Sequence, residues 1–248
     1  VFGSGVTVLK LFCPLWGEDY PAEKAALEAV SGLPIPEIVV TGLLAGWPYM
    51  LMTAVPGVQA DQVWDDLDDR GKTAIISELG VLMNKLHRQL PIAQLATDWD
   101  AFLGARLSRW VEHHKPAEPW LSWLTDRLAQ CDQPVFEPVL VHADITGDNL
   151  LLSESDRGWQ ISGFIDFGDA MMGHPYYEFI APLTFYTIGR PHLSQLLLTA
   201  YGLELTPEHT QQITTYCFLH RFARLSDYLA YYPLPDGPAF EQALWGDV

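Results

Sequence analysis

Between Val139 and Ala170 the chain reads VLVHADITGDNLLL and then, beyond a polar turn, GFIDFGDA. Short runs of Val, Ile and Leu bounded by turn-forming residues predict buried strands: two joined by a polar loop, a turn at Ser155–Gly158, and a third strand over Trp159–Ile165. His142, Asp144, Asn149 and Asp166 then fall where the chain leaves the sheet. Polar loops held by a rigid scaffold are where chemistry concentrates.

The flanking sequence sorts into two parts. Val6–Phe12 alternates as a strand, with Lys10 projecting among apolar neighbours. Pro21 suits the first turn of a helix that carries Glu23, and Gly32 suits its end. Ile38–Val40 and Tyr49–Met52, joined by a Gly- and Pro-containing turn, read as a hairpin leaving through Val55-Pro-Gly57. Beyond Gly57 helices dominate. Ile75, Leu79, Leu82, Met83, Leu86 and Leu90 recur at helical spacing until Pro91, Trp99–Cys131 is helical in pattern, and helices resume near Tyr176. The expected fold class is α+β, a small β-rich lobe over residues 1–57 and a larger, mainly helical lobe over 58–248.

Composition narrows the partners. With 14 Lys and Arg against 31 Asp and Glu, a net charge of -17 repels nucleic acid and anionic membranes and attracts cationic small molecules. Ile38–Ala60 carries no charge, but its glycines and prolines cut it into strand-sized pieces, so no membrane span is expected. Cys13, Cys131 and Cys217 form no C-x-x-C pair, no signal peptide opens the chain, and a cytoplasmic protein is the expectation.

His142, Asp144 and Asn149 fit H-x-D-x-x-x-x-N, and Asp166-Phe-Gly168 fits D-F-G, the spacing of kinase-type phosphoryl transfer. That reaction needs a carboxylate beside the acceptor hydroxyl and separate oxygen ligands for Mg²⁺ on the nucleotide phosphates. On VLKLF, AEKAALEAVSGLPIPEIV, YMLMTAVPG, HADITGDNLLL and FIDFGDA, in that order, the chain resembles the aminoglycoside phosphotransferase family, a kinase-like fold acting on small molecules. Ala170–Phe179 is most similar to hygromycin-type members.

The resemblance implies ATP and Mg²⁺ as cofactors and a small-molecule hydroxyl as acceptor. Asp144 would orient or deprotonate that hydroxyl, Asn149 and Asp166 would hold Mg²⁺, and Lys10 would touch the nucleotide phosphates. Glu23 would pair with Lys10, the backbone of Thr53 and Val55 would face adenine, and His142 would be structural. The resemblance implies a first strand and a phosphate-covering turn that would need more residues upstream of Lys10 than stand there, so the chain reads as truncated at its start, with Phe2-Gly-Ser-Gly5 as the hairpin turn or strand before the lysine strand. His174 stands where many members carry aspartate. Choline-, homoserine- or sugar-type kinases and a catalytically weak pseudokinase-like module remain alternatives, and no oligomeric state follows.

Several other residues read as structural. These are His87 on its helix, His113 and His114 in a solvated loop, and the tryptophans between Trp99 and Trp123 as core. Asp61, Asp65, Asp66, Asp68 and Asp69 read as a solvated face rather than a cation site.

Overall fold

A computed structural model describes residues 2–247 except 4, 115–118, 131–135 and 222–224. Its first sheet is antiparallel, in the order β1 (Phe2–Gly3), β2 (Thr7–Leu11), β4 (Trp47–Thr53), β3 (Ile38–Leu44). Phe2 pairs with Leu9, so the segment before Lys10 does form a strand. The β3–β4 hairpin is longer than the sequence suggested. Ala45 and Gly46, at φ 50° and 84°, make the tight connection, which lets pairing run on to Leu44 and Trp47.

Helix α1 (Asp19–Ala29) buries Glu23, Ala26 and Leu27 and lies against the 3-10 turn Phe167–Asp169. The chain then crosses through Gly57 into β5 (Val58–Gln59), where Val58 pairs with Leu152. At Gly57 φ is 133°, and an added Cβ would stand 2.6 Å from the Leu152 carbonyl oxygen, so only glycine fits this close approach.

Helix α2 (Asp69–His87) starts where Asp68 caps it by accepting the Gly71 N–H at 2.7 Å, and it buries Ile75, Ile76, Leu79, Leu82, Met83 and Leu86. Leu90, counted from its spacing with that stripe, lies beyond the helix and is 84% exposed. The reason is local: the Gln89 amide donates to the Lys85 and Ser31 carbonyls and leads the chain away. The helical pattern from Trp99 resolves into α3 (Trp99–His114) and α4 (Trp120–Gln130), while Cys131 lies outside the described residues. His113 and His114 close α3 instead of occupying a loop.

One expectation about the opening motif is corrected. Strand β6 (Val139–Val141) does not run back as a hairpin with β7 (Leu150–Ser155). It pairs with β9 (Met171–Gly173), Val141 opposite Met171, while β7 pairs with β8 (Gly158–Phe164) and β5. The N–H groups of His142 and Ala143 go to a side chain, Glu178, which ends strand pairing before the polar loop.

The remainder is helical. Short α5 (Ile180–Pro182) runs into a π-helical turn at Leu183–Thr187, followed by α6 (Pro191–Tyr201), α7 (Pro207–Leu219), α8 (Leu225–Tyr231) and α9 (Gly237–Trp245). Helices α2 and α6 pack so closely that a Cβ on Gly80 would stand 2.7 Å from the Leu197 carbonyl oxygen. Among the described residues no helix is long and apolar enough to cross a membrane. The result is a small antiparallel-sheet lobe beside a larger helical lobe.

Candidate active site

The loop after β6 is built around a strained residue. Ala143 has φ 64°, a left-handed conformation that residues bearing a Cβ seldom adopt, so its surroundings must hold it there. Glu178, 1% exposed, accepts the His142 N–H at 2.6 Å and the Ala143 N–H at 2.9 Å. His220, the residue after α7, bonds the Ala143 carbonyl at 2.8 Å. His142 Nε2 bonds the Ile165 carbonyl at 3.0 Å, so Nε2 carries the proton and Nδ1 accepts the Asp144 N–H at 3.3 Å. Both ring nitrogens of His142 are thus engaged within the loop, as suits the structural part that the resemblance implies for it.

Asp144 follows this clamp and is half-buried. The Asn149 amide nitrogen donates to Asp144 Oδ2 at 2.7 Å and to its backbone carbonyl at 2.9 Å. Burial pushes the Asp144 carboxyl up to about 6; His142 opposes the rise, and the charges of Asp169 and Asp166 add to it. Asp144, Thr146, Asp148, Thr184, Phe185 and His220 are among the residues lining a cavity of about 320 Å³.

Asp166 follows β8 by two residues and stands in the left-handed region at φ 64°, ψ 71°, and its side chain is half exposed. The β7–β8 ladder carries it to Asn149, whose carbonyl accepts the Ile165 N–H at 3.0 Å. Across the cleft Lys10 Nζ donates to Asp166 Oδ1 at 2.8 Å and to Glu23 Oε2 at 2.6 Å. Burial works against the charge of Lys10, but Glu23 and Asp166 outweigh it and raise its pKa. Glu23 is pushed up to about 7, by burial first, with Lys10 pulling the other way. The structure thus joins Lys10, Glu23 and Asp166 directly, and Asp144 to Asn149 directly, with the sheet linking the two groups.

Thr53 and Val55 stand apart from both. They line a separate cavity of about 270 Å³ with Pro34, Ile35, Glu37 and Ser162. The Thr53 N–H and hydroxyl are both engaged with the Glu37 backbone, at 2.9 and 2.8 Å. Val55 packs so closely on Gly163 that a Cβ there would come within 2.4 Å of Val55 Cγ1.

Several participants escaped the sequence reading. Glu178 was legible only as a charge inside the apolar run YYEFIAPL, which demands buried donors. Burial opposes its ionisation, yet the approach of His87 and the donated backbone N–H groups outweigh that and hold it below the ordinary range. Asp169 pairs with Arg221. His174, 3% exposed, accepts the Tyr176 N–H at 3.1 Å and so caps the turn Pro175–Phe179, a task aspartate performs equally well. Asp61 separates from the other aspartates of its run. A Cβ on Gly147 would meet the Asp61 Cβ at 2.7 Å, and Asp61 adds to the burial that raises the Asp148 pKa.

The donors suit a hard cation. Asn149 commits its amide nitrogen to Asp144, which leaves Oδ1 as the atom that could meet a cation, and Asp166 could add a carboxylate. Among the described residues no group of three or more His, Cys, Asp or Glu could hold a metal ion. Two protein oxygens completed by phosphates and water are what Mg²⁺ commonly takes.

Comparison with known proteins agrees with this fold. The solved aminoglycoside 2'-phosphotransferase-IIIa, in its GDP complex, superposes with a TM-score of 0.72 at 21% identity, over 92% of this chain and 83% of its own. APH(3'')-Id from Streptomyces rimosus, in complex with ADP and streptomycin, gives 0.60 at 18% identity over 86% and 85%. The ternary complex of APH(2'')-IIa with streptomycin and ATP gives 0.59 at 17% identity over 85% and 76%. No curated protein matched. The family model described as the phosphotransferase enzyme family matches residues 3–212, most of the length described above, and the chain belongs to that family.

Proposed function

We propose that this phosphotransferase moves the γ-phosphoryl group of ATP, with Mg²⁺, to a hydroxyl of a small cationic molecule. The observation that carries the reading is the bond from Asn149 to Asp144 at the end of the ladder that also delivers Asp166. Asp144 orients the acceptor hydroxyl and takes its proton, a task for which a carboxyl held near 6 is well matched at neutral pH. Asn149 and Asp166 hold Mg²⁺, which supplies positive charge to the transferring phosphoryl group. Lys10 steadies the nucleotide phosphates while Glu23 directs it, and the backbone of Thr53 and Val55 meets the adenine ring. We place the lobe boundary at Gly57 and the protein in the cytoplasm, where the free thiols of Cys13 and Cys217 would persist.

The cavity favours a cationic acceptor. Asp148 shares the lining with Asp144, and Asp61 abuts Asp148, so carboxylates gather where an ammonium group would sit. Solved relatives of this fold hold kanamycin and streptomycin. A panel of aminoglycosides, choline, homoserine and neutral sugars, assayed by ADP release from Mg-ATP, tests the reading. An amine-bearing acceptor should win, with a kcat/KM that falls as salt screens the acidic cavity. A neutral best acceptor, or an efficiency indifferent to salt, would remove the cationic assignment and leave phosphoryl transfer standing.

A further inference from the structure

We propose that His220 is a positioning residue for phosphoryl transfer, fixing through Ala143 the direction in which Asp144 points; the proposal rests on the role given to Asp144 above. Ala143 is the last residue before Asp144 and holds a left-handed conformation at φ 64°. Such a conformation persists only where the surroundings over-determine it. Glu178 takes the N–H side of this residue at 2.9 Å, and a residue held on one side alone can still swing about that bond. His220 takes the carbonyl side at 2.8 Å and closes the clamp. The two holders reach the loop from different elements, the turn Pro175–Phe179 and the end of α7.

The ring is itself well fixed. It stacks on Tyr177 at 5.0 Å between centroids and 25° between planes, and only 9% of the residue is exposed. Nε2 must carry a proton to donate to the Ala143 carbonyl, and burial holds the imidazole pKa down to about 4, so the neutral donor form persists throughout the physiological range. His220 also lines the cavity that contains Asp144. A molecule filling that cavity therefore presses on the group that aims the carboxylate, which couples acceptor fit to the geometry of transfer.

Packing and positioning separate by substitution. His220→Phe keeps a ring on Tyr177 without the donor, His220→Leu keeps bulk alone should Phe fail to fold, and His220→Gln restores an N–H at similar reach. ADP release from Mg-ATP would be measured with kanamycin as acceptor and with water as the acceptor every solution contains. The donor-free variants should lose about 10²-fold in kcat, the scale of a misplaced catalytic group, with an unchanged KM for Mg-ATP. His220→Gln should recover most of that loss. In an Asp144→Asn background the same changes should cost nothing further, because groups acting as one unit are not additive.

Parental kcat in a folded donor-free variant, or losses that multiply in the double variant, would overturn the positioning role alone. Parental turnover in Asp144→Asn, or no ADP from the unsubstituted protein with either acceptor, would instead overturn the reading on which it rests.

Discussion

Asn149 donates through its amide nitrogen to Asp144 Oδ2 at 2.7 Å, so the side chain we propose for the metal also restrains the carboxylate we propose for the acceptor. The two roles separate by substitution. Asp144→Asn retains an oxygen for Asn149 to bond, and it should lower kcat by about 10²- to 10⁴-fold, the range for a lost general base, with nucleotide affinity near parental. Asn149→Ala should damage both terms, lowering kcat and raising the Mg²⁺ concentration for half-activity. Steady-state kinetics across a Mg²⁺ series checks the pair, and an Asn149→Ala protein with parental metal dependence would contradict its ligand role.

Asp166 occupies the left-handed region, which asparagine tolerates better than most residues. Asp166→Asn should therefore fold normally and keep its melting temperature while requiring far more Mg²⁺. A normal Mg²⁺ titration of ADP release would count against the assignment.

Glu23 is 1% exposed, so its bond with Lys10 is a buried partnership and not a surface pair. Glu23→Gln leaves Lys10 to Asp166 and should draw the ammonium toward it, raising KM for Mg-ATP. Because glutamine keeps an oxygen for Lys10, the stability cost should stay below the roughly 1.5–3 kcal/mol of a bond lost to a charged group. Denaturant unfolding beside kinetics tests this, and a stability loss with unchanged KM would mark Glu23 as structural only.

His174 is held neutral: burial lowers its pKa from 6.5 to about 4. The unfolded chain protonates first as pH falls, so this imidazole adds stability above about pH 6.5 that is lost on descending through pH 4. Asp144 and Asp169, whose pKa values are raised, act in the opposite sense over part of that window. The comparison with His174→Asn isolates the histidine, because asparagine also caps a turn. Melting temperatures of the two proteins should differ in slope between pH 7 and 4, and parallel curves would refute the assignment.

Much of this architecture was visible in local pattern. Lys10 in an alternating run, Glu23 on the following helix, and the spacing of Asp144, Asn149 and Asp166 all lie within short stretches whose periodicity reports their own conformation. What stayed hidden depends on distant partners. Val141 could have paired with β7 as readily as with Met171, since apolar runs carry no label for their neighbour. Glu178 and His220 reach Ala143 from 35 and 77 residues away, and nothing near His142 announces them. Asp61 is exposed like the other aspartates of its run, and only the approach of Gly147 sets it apart.

The pairing of β6 with β9 closes the chain between Val141 and Met171 into one loop that contains Asp144, Asn149 and Asp166. Drawing those ends together restricts the whole excursion at once, and the entropy of closure grows only slowly with its length. The segment therefore behaves as a cassette whose ends are clasped together, with β5, Glu178 and His220 as further ties along it. Insertions at its outer turn, Ser155–Gly158, should be absorbed with little disturbance, whereas a break at Val141 or Met171 would loosen the surroundings of Asp144, Asn149 and Asp166 together.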